Sequence, residues 1–352
     1  MSGTVTGRVY DSRTREPIPF ANVVVVGTSL GGAADINGEF SILRIPLGSY
    51  ALRASAVGFQ PMIRTDVVLS PVRPVRLEFG LMETSIELGE VTVTGGFFQK
   101  QTDKPVSLQT QSYEEIRRLP GGLEDVVRAV SILPGVAQVQ AGRNDLIVRG
   151  GAPSENLFVI DNIEVPNINH FRTQGASGGP LSFVNLDFVQ ETSFSTGGFG
   201  VRYGDKLSSV LTIDLKEGRN DRFGGKGTIS ASQFGLNLEG PVDGSGSYLF
   251  SARRSYLDFI FKAAGFGFVP EYWDFLGKVS YAPGRNDQIS VIGLAAIDNV
   301  RLFNDTADKR FTNSRILYSS QNQVVGGISW RRLFGGGFGT VTFGQVFVDY
   351  DF

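Results

Sequence analysis

His170 is the only histidine in the chain and cysteine is absent, which removes most of the groups that do covalent or metal chemistry. No thiolate nucleophile, disulfide framework or Cys-ligated zinc or iron–sulfur centre can form, and a zinc site of the H-E-x-x-H kind is out of reach. A Ser-His-Asp triad would have to use His170, which stands in Pro166-Asn167-Ile168-Asn169-His170-Phe171, and no G-x-S-x-G elbow accompanies it. Gly224-Gly225-Lys226-Gly227-Thr228 has a lysine among glycines but lacks the first glycine and the spacing of a phosphate-binding loop. The pairs Glu114-Glu115 and Glu124-Asp125 fall at expected helix starts, where carboxylates complement the positive end of the dipole. These residues predict no enzyme, no cofactor and no metal, and leave binding as the chemistry to look for.

The elements that would position a binding site are mostly strands. Composition is in the globular range, 41% hydrophobic and 19% charged over 352 residues, and a formal charge of -2 gives no reason to expect nucleic acid as a partner. Forty-five glycines with 27 phenylalanines suit tight turns between aromatic-rich strands. No apolar run is long enough for a membrane helix, but a barrel strand needs only about 9–11 residues of alternating character. The N-terminus has neither a basic nor an apolar leader segment, so an export signal is expected to be missing from this sequence.

Residues 5–10, 21–26, 39–43, 50–56 and 72–79 read as short strands of a small β-sandwich. Asp35-Ile36-Asn37-Gly38-Glu39-Phe40 predicts a tight hairpin turn. It also begins like a calcium loop, but an EF-hand needs more spaced oxygen ligands and a bidentate glutamate at its end. With Ile45-Pro46-Leu47-Gly48-Ser49-Tyr50-Ala51-Leu52 and Gly58-Phe59-Gln60-Pro61, this pattern resembles the carboxypeptidase regulatory-like domain, a transthyretin-like sandwich, over residues 1–82. The resemblance implies no peptidase activity.

Residues 83–98 lose the sandwich spacing. Glu87-Leu88-Gly89-Glu90-Val91-Thr92-Val93-Thr94-Gly95-Gly96 reads as one extended strand before a glycine hinge, open to capture by a partner's sheet, or else as the sandwich's last strand. From Ser112 the pattern turns helical: Ser112-x-x-Glu115 has capping-box spacing, and Leu123, Val126, Val127, Val130 and Leu133 recur until Pro134-Gly135. Strands are expected at 146–149, 157–160, 184–192 and 207–216, separated by glycine-rich loops at 175–179 and 197–204.

Three motifs stand in order within this mixed α/β stretch: Asp145-Leu146-Ile147-Val148-Arg149-Gly150-Gly151, Val159-Ile160-Asp161-Asn162-Ile163-Glu164-Val165-Pro166, and Gly197-Gly198-Phe199-Gly200-Val201-Arg202-Tyr203-Gly204. Together with the 123–136 helix, they resemble the plug of TonB-dependent outer-membrane receptors over residues 99–222. Asn162 replaces the glycine usual in that family, and asparagine tolerates the left-handed conformation the turn needs. The resemblance implies that Arg149, Gly150, Gly151, Asp161, Arg202, Tyr203 and Gly204 are plug-motif residues. It also implies that Glu90, Val91, Thr92, Val93 and Thr94 form a TonB box pulled by a TonB-type periplasmic energy transducer. Arg149 and Arg202 are expected to pair with barrel carboxylates, against the plainer reading of solvated surface arginines. Asn167, Asn169, His170 and Phe171, with the 175–179 loop, are expected to face the ligand.

After residue 223 the alternation carries aromatics on one face: Trp273, Phe275, Gly277, Val279 and Tyr281 against Asp274, Leu276, Lys278 and Ser280. The apolar face would be the core of a soluble sandwich or the lipid face of a membrane barrel, and alternation alone cannot choose. Tyr256, Trp273, Tyr281 and Trp330 would suit aromatic girdles. Further strands are expected at 247–254, 288–297, 323–333 and 339–352. Roughly six to eight strands fit in the span, against about 22 in plugged transporters, so a truncated barrel is expected.

The expected fold is mainly β: sandwich, linker, mixed α/β plug and the N-terminal strands of an incomplete antiparallel transmembrane barrel in the outer membrane of a Gram-negative-type bacterium, with sandwich and plug on the periplasmic or lumenal side. The expected function is active uptake, with outer-membrane lipid, a small-molecule, glycan or peptide ligand, and a surface lipoprotein as further partners. An adhesin or signalling receptor using the same barrel without transport is the alternative, and an enzyme with an accessory sandwich the weaker third.

Overall fold

The computed structural model describes residues 2–69, 71, 73–84, 107–122, 124–139, 143–172, 178–200, 202–230, 233–257, 261, 263–265, 267–314 and 320–351. The expected linker strand with Glu90 to Thr94, Val72, Leu123, residues 175–177, Val201 and Phe352 lie outside the described residues. The chain divides into two compact units, residues 1–99 with 284–287 and 331–340, and residues 100–283 with 288–330 and 341–352.

In the first unit, β1 (Ser2–Asp11) lies between β4 (Glu39–Pro46) and β7 (Val75–Leu81), antiparallel to the former and parallel to the latter. A second sheet takes β2 (Asn22–Val25), β3 (Gly31–Ala33), β5 (Ser49–Ser55) and β6 (Met62–Val68) in the order β3-β2-β5-β6. Alternation along β1 buries Val5 and Val9, which join Val23, Val25, Phe40, Ile42, Leu52 and Phe79 in one core, the burial that drives a sandwich to form. The Asn37-Gly38 turn is present, with the Asp35 carboxylate accepting from Asn37 N at 2.8 Å and Glu39 N at 2.9 Å. It is not a hairpin. The strands it joins, β3 and β4, belong to different sheets, because the turn dipeptide sets the local reversal and not the pairing partner.

The second unit opens with β8 (Leu108–Ser112) and α1 (Tyr113–Arg117), where the expected capping box forms: Ser112 Oγ accepts from Glu115 N and Ser112 N donates to Glu115 Oε2. Asp125 caps α2 (Val126–Ser131), whose Val126, Val127, Ala129 and Val130 are buried. A hairpin of β9 (Val136–Gln138) and β10 (Leu146–Val148) follows. Then β11 (Asn156–Ile160), β12 (Ile163–Val165), β13 (Val189–Ser195) and β14 (Ser209–Leu215) complete a sheet in the order β12-β11-β14-β13-β8. β13 starts five residues later than expected. Asn185 accepts from Asp187 N and caps a 3-10 turn at Leu186–Phe188, so the apolar run there is buried as a turn. β11 pairs in parallel with β14 and is buried along its whole length, as parallel strands covered on both faces are.

Seven further strands form one sheet in sequence order: β15 (Gly224–Ile229), β16 (Gln233–Val242), β17 (Gly246–Ser255), β18 (Phe268–Gly284), β19 (Asp287–Leu302), β20 (Ser320–Phe334) and β21 (Gly337–Asp351). α3 (Ala307–Asn313) stands between β19 and β20. The sheet does not close among the described residues. Its phase resolves the ambiguity of the alternation: Asp274, Lys278 and Ser280 are 1%, 8% and 7% exposed, while Trp273, Val279 and Tyr281 on the opposite face are 36%, 40% and 37% exposed. An apolar face outside and buried Asp, Lys and Ser side chains beside Leu276 inside is the pattern of a barrel wall around a folded domain and not that of a soluble sandwich, whose exposed face is the polar one.

Candidate functional site

The inner face of the seven-stranded sheet and the five-stranded domain share one core. Leu249, Leu276, Ile292, Leu294, Ala296 and Val325 lie in the same cluster as Val126, Val130, Phe158, Ile160 and Ile213. Several polar groups between these two bodies are as deeply buried as the apolar ones and are paired across the contact.

His170 is the centre of the largest such group. Its Nδ1 lies 2.6 Å from Asp298 Oδ1 on β19 and its Nε2 lies 3.1 Å from Asp274 Oδ2 on β18. Asp274 Oδ1 accepts from Arg253 Nε on β17 at 2.7 Å, and Asp298 Oδ2 accepts from Phe171 N at 2.7 Å. The ring stacks on Tyr272 at 4.0 Å. Burial alone would depress the imidazole pKa, but Asp298 and Asp274 outweigh it and push it up to about 9. The two carboxylates sit on opposite nitrogens, so they do not converge on one cation, and neither nitrogen is left to activate a nucleophile.

A second pair runs with the opposite polarity. Lys278 Nζ of β18 lies 2.6 Å from Asp161 Oδ2 and donates to Leu215 O at 2.9 Å, while Asp161 Oδ1 accepts from Leu215 N at 2.9 Å. Asp187 holds both Lys226 Nζ at 2.7 Å and Asn237 Nδ2 at 2.8 Å. Asn185 Nδ2 reaches Asn237 Oδ1 and Ser251 Oγ. Each charge that has left water therefore meets an opposite charge or a hydrogen-bond partner, without which burial would be costly.

The sequence-predicted residues are distributed unevenly around this contact. Asp161 is central to it. Arg149 and Arg202 meet no carboxylate of the seven-stranded sheet among the described residues: Arg149 runs past Gly135 and Gly197, and Arg202 donates to Asn162 Oδ1 and lies over the Tyr203 ring. Tyr203, with Phe199, covers Leu157, Val159 and Val210 on the far face of β11 and β14, and burial raises its phenol pKa. Gly150 takes φ +84, and Gly151 lies so close to Ser208 Oγ that a Cβ would overlap it. Gly204 has open space around it.

Asn167, Asn169 and His170 are fully buried and Phe171 partly so. Gln323 Nε2 of β20 donates to Asn167 O at 2.8 Å, and Asn169 Oδ1 accepts from Asn144 Nδ2 at 2.9 Å. These residues hold the 166–171 loop against the sheet and its own domain. Asp274, Lys278, Asp298 and Asp187 were missed as functional residues. The signal for Asp298 is present in the alternation, since it continues the inward series Ile292, Leu294, Ala296 along β19.

A mixed α/β domain held by buried charge pairs on the polar inner face of an outward-apolar strand meander is the arrangement of a plug in a barrel. Residues 5–93 match the CarboxypepD_reg-like domain and residues 100–209 the TonB-dependent Receptor Plug Domain. The TonB-dependent transporter Oar of Myxococcus xanthus is 28% identical over 259 residues, covering 68% of this chain and 23% of that protein. The TonB-dependent receptor SusC of Bacteroides thetaiotaomicron is 29% identical over 231 residues, covering 62% and 21%. A crystallised variant of the ferric enterobactin receptor of Pseudomonas aeruginosa shares the fold, with a TM-score of 0.50 at 14% identity over 69% of this chain and 40% of that one. The chain thus carries a carboxypeptidase regulatory-like domain followed by the plug domain of TonB-dependent receptors and strands of the associated barrel. It spans less than a quarter of the length of the curated relatives it matches, 23% of Oar and 21% of SusC.

Proposed function

We propose that the chain supplies the regulatory-like domain (1–82), the TonB-box linker (83–98), the plug (99–222) and the first barrel strands (223–352) of an outer-membrane receptor that takes up its ligand actively. The observation that carries the reading is the plug domain bound to the polar inner face of the strand meander by reversible charge pairs, Asp161 with Lys278 and His170 with Asp274 and Asp298. Such pairs hold a plug through transport cycles and part stepwise under force. The relatives named as a TonB-dependent transporter and a TonB-dependent receptor support the same reading. On it, Glu90 to Thr94 add a strand to the periplasmic domain of a TonB-type transducer, the outward apolar face meets outer-membrane lipid, and the ligand is a small molecule, glycan or peptide.

The test is binding of a purified TonB periplasmic domain to the whole chain in detergent, beside a variant with Val91→Pro and Val93→Pro, which cannot donate strand hydrogen bonds. Binding that the prolines abolish is the expected result. Absence of binding to both forms would favour a receptor that adheres or signals without energised transport.

A further inference from the structure

Both ring nitrogens of His170 face a carboxylate oxygen within hydrogen-bond distance, 2.6 Å to Asp298 and 3.1 Å to Asp274. An ionised carboxylate only accepts, and a neutral imidazole donates from one nitrogen alone, so with both carboxylates ionised the geometry satisfies both contacts only when the ring carries both protons. The remaining charge bonded to these groups is Arg253, on the other oxygen of Asp274, and Arg253 also feels the buried Asp125 carboxylate. One imidazolium and one guanidinium then balance two carboxylates in a site where all four side chains are buried or nearly so. The other groups facing it are the Tyr272 phenol, bonded to Gln233, the Phe183 ring, Asp125 through Asn144 and Asn169, and Arg172 two residues along the same loop.

We propose that protonated His170 is the core of a charge-balanced latch that fixes the 166–171 loop of the plug to β17, β18 and β19, and that loss of the balance frees this loop. The latch joins three barrel strands to one short plug loop, and the Phe171 amide bonded to Asp298 ties the loop backbone to the same charge. Removing one member leaves an unpaired buried charge, whereas removing an opposite pair restores neutrality. The inference rests on the plug-in-barrel fold. It does not need transport.

The experiment uses the whole chain in detergent. His170 is the single histidine, so nitrogen-15 histidine labelling reports one ring. The expected spectrum at about pH 7 is that of an imidazolium with both nitrogens protonated, and a neutral tautomer there would overturn the proposal. Amide hydrogen exchange of the 166–172 segment at the same fixed pH is then compared in H170Q, D298N and the double variant. Each single change is expected to speed exchange by about tenfold or more, with the double returning to within about threefold of the unaltered chain. A double variant as fast as either single, or singles without effect, would show that His170 fills space and does not balance charge. Neither readout involves TonB or a ligand, so a failed TonB-binding test leaves this one standing.

Discussion

His170 lends the plug a pH dependence whose sign follows from its environment. Its pKa is raised from an ordinary 6.5 to about 9 in the folded protein, so the stabilisation it contributes is fully present below about 6.5 and is lost as pH rises through about 9. Thermal melts of the unaltered chain and H170Q are expected to differ most at about pH 6 and to converge near pH 10; a gap that widens with pH would contradict this assignment. Other single residues were readable in advance. Asp161 and Asn162 take φ 46 and 70 in the two-residue turn between β11 and β12, the doubly left-handed turn that asparagine and aspartate tolerate. The pairing of Asp161 with Lys278 was not readable, because residues 117 positions apart in the chain carry no local signal for it.

Among the elements, α2 shows how a local signal acquires a tertiary task. Asp125 caps it through Val127 N and Arg128 N at 2.8 and 3.1 Å, and its other oxygen accepts from Ser182 N at 2.7 Å and Asn144 Nδ2 at 3.0 Å. Loss of the cap alone costs about 1 kcal/mol. Asp125→Ala also strands the buried Ser182 amide and Asn144, so its total cost is expected to be about 2–4 kcal/mol by chemical denaturation. Asp125→Ser restores the cap and only about 1 kcal/mol of the loss; full recovery by serine would show that the second oxygen contributes nothing. The capping box at Ser112 and the glycine after α2 were legible because caps act within one turn of chain. The start of the strand expected at 184–192 was not, since the apolar run before Val189 reads alike as strand or buried turn.

For the whole molecule, the decisive fact is which face of the seven-stranded sheet is wet. Val279 is 40% exposed on the apolar side. In a water-soluble protein, Val279→Arg at such a position is expected to change stability by no more than about 0.5 kcal/mol. Facing lipid, the same change costs about 2–4 kcal/mol near the bilayer midplane. Folding measurements in lipid vesicles are expected to show the larger loss, and a neutral outcome would remove that strand face from the membrane.

The sequence by itself determined the strand content, the sandwich, the α/β character of the plug, its turns and caps, and the period-two alternation of the last third, all of which depend on interactions between residues a few positions apart. Tertiary structure alone decided that the polar side chains of β18 lie on its buried face, that the Asn37-Gly38 turn passes between sheets, and that among the described residues the plug's charges meet the sheet through Asp161 and His170. The physical reason is common to all three: a period marks two faces without naming the solvent on either, and a charge near a turn does not reveal which distant strand will bring its partner.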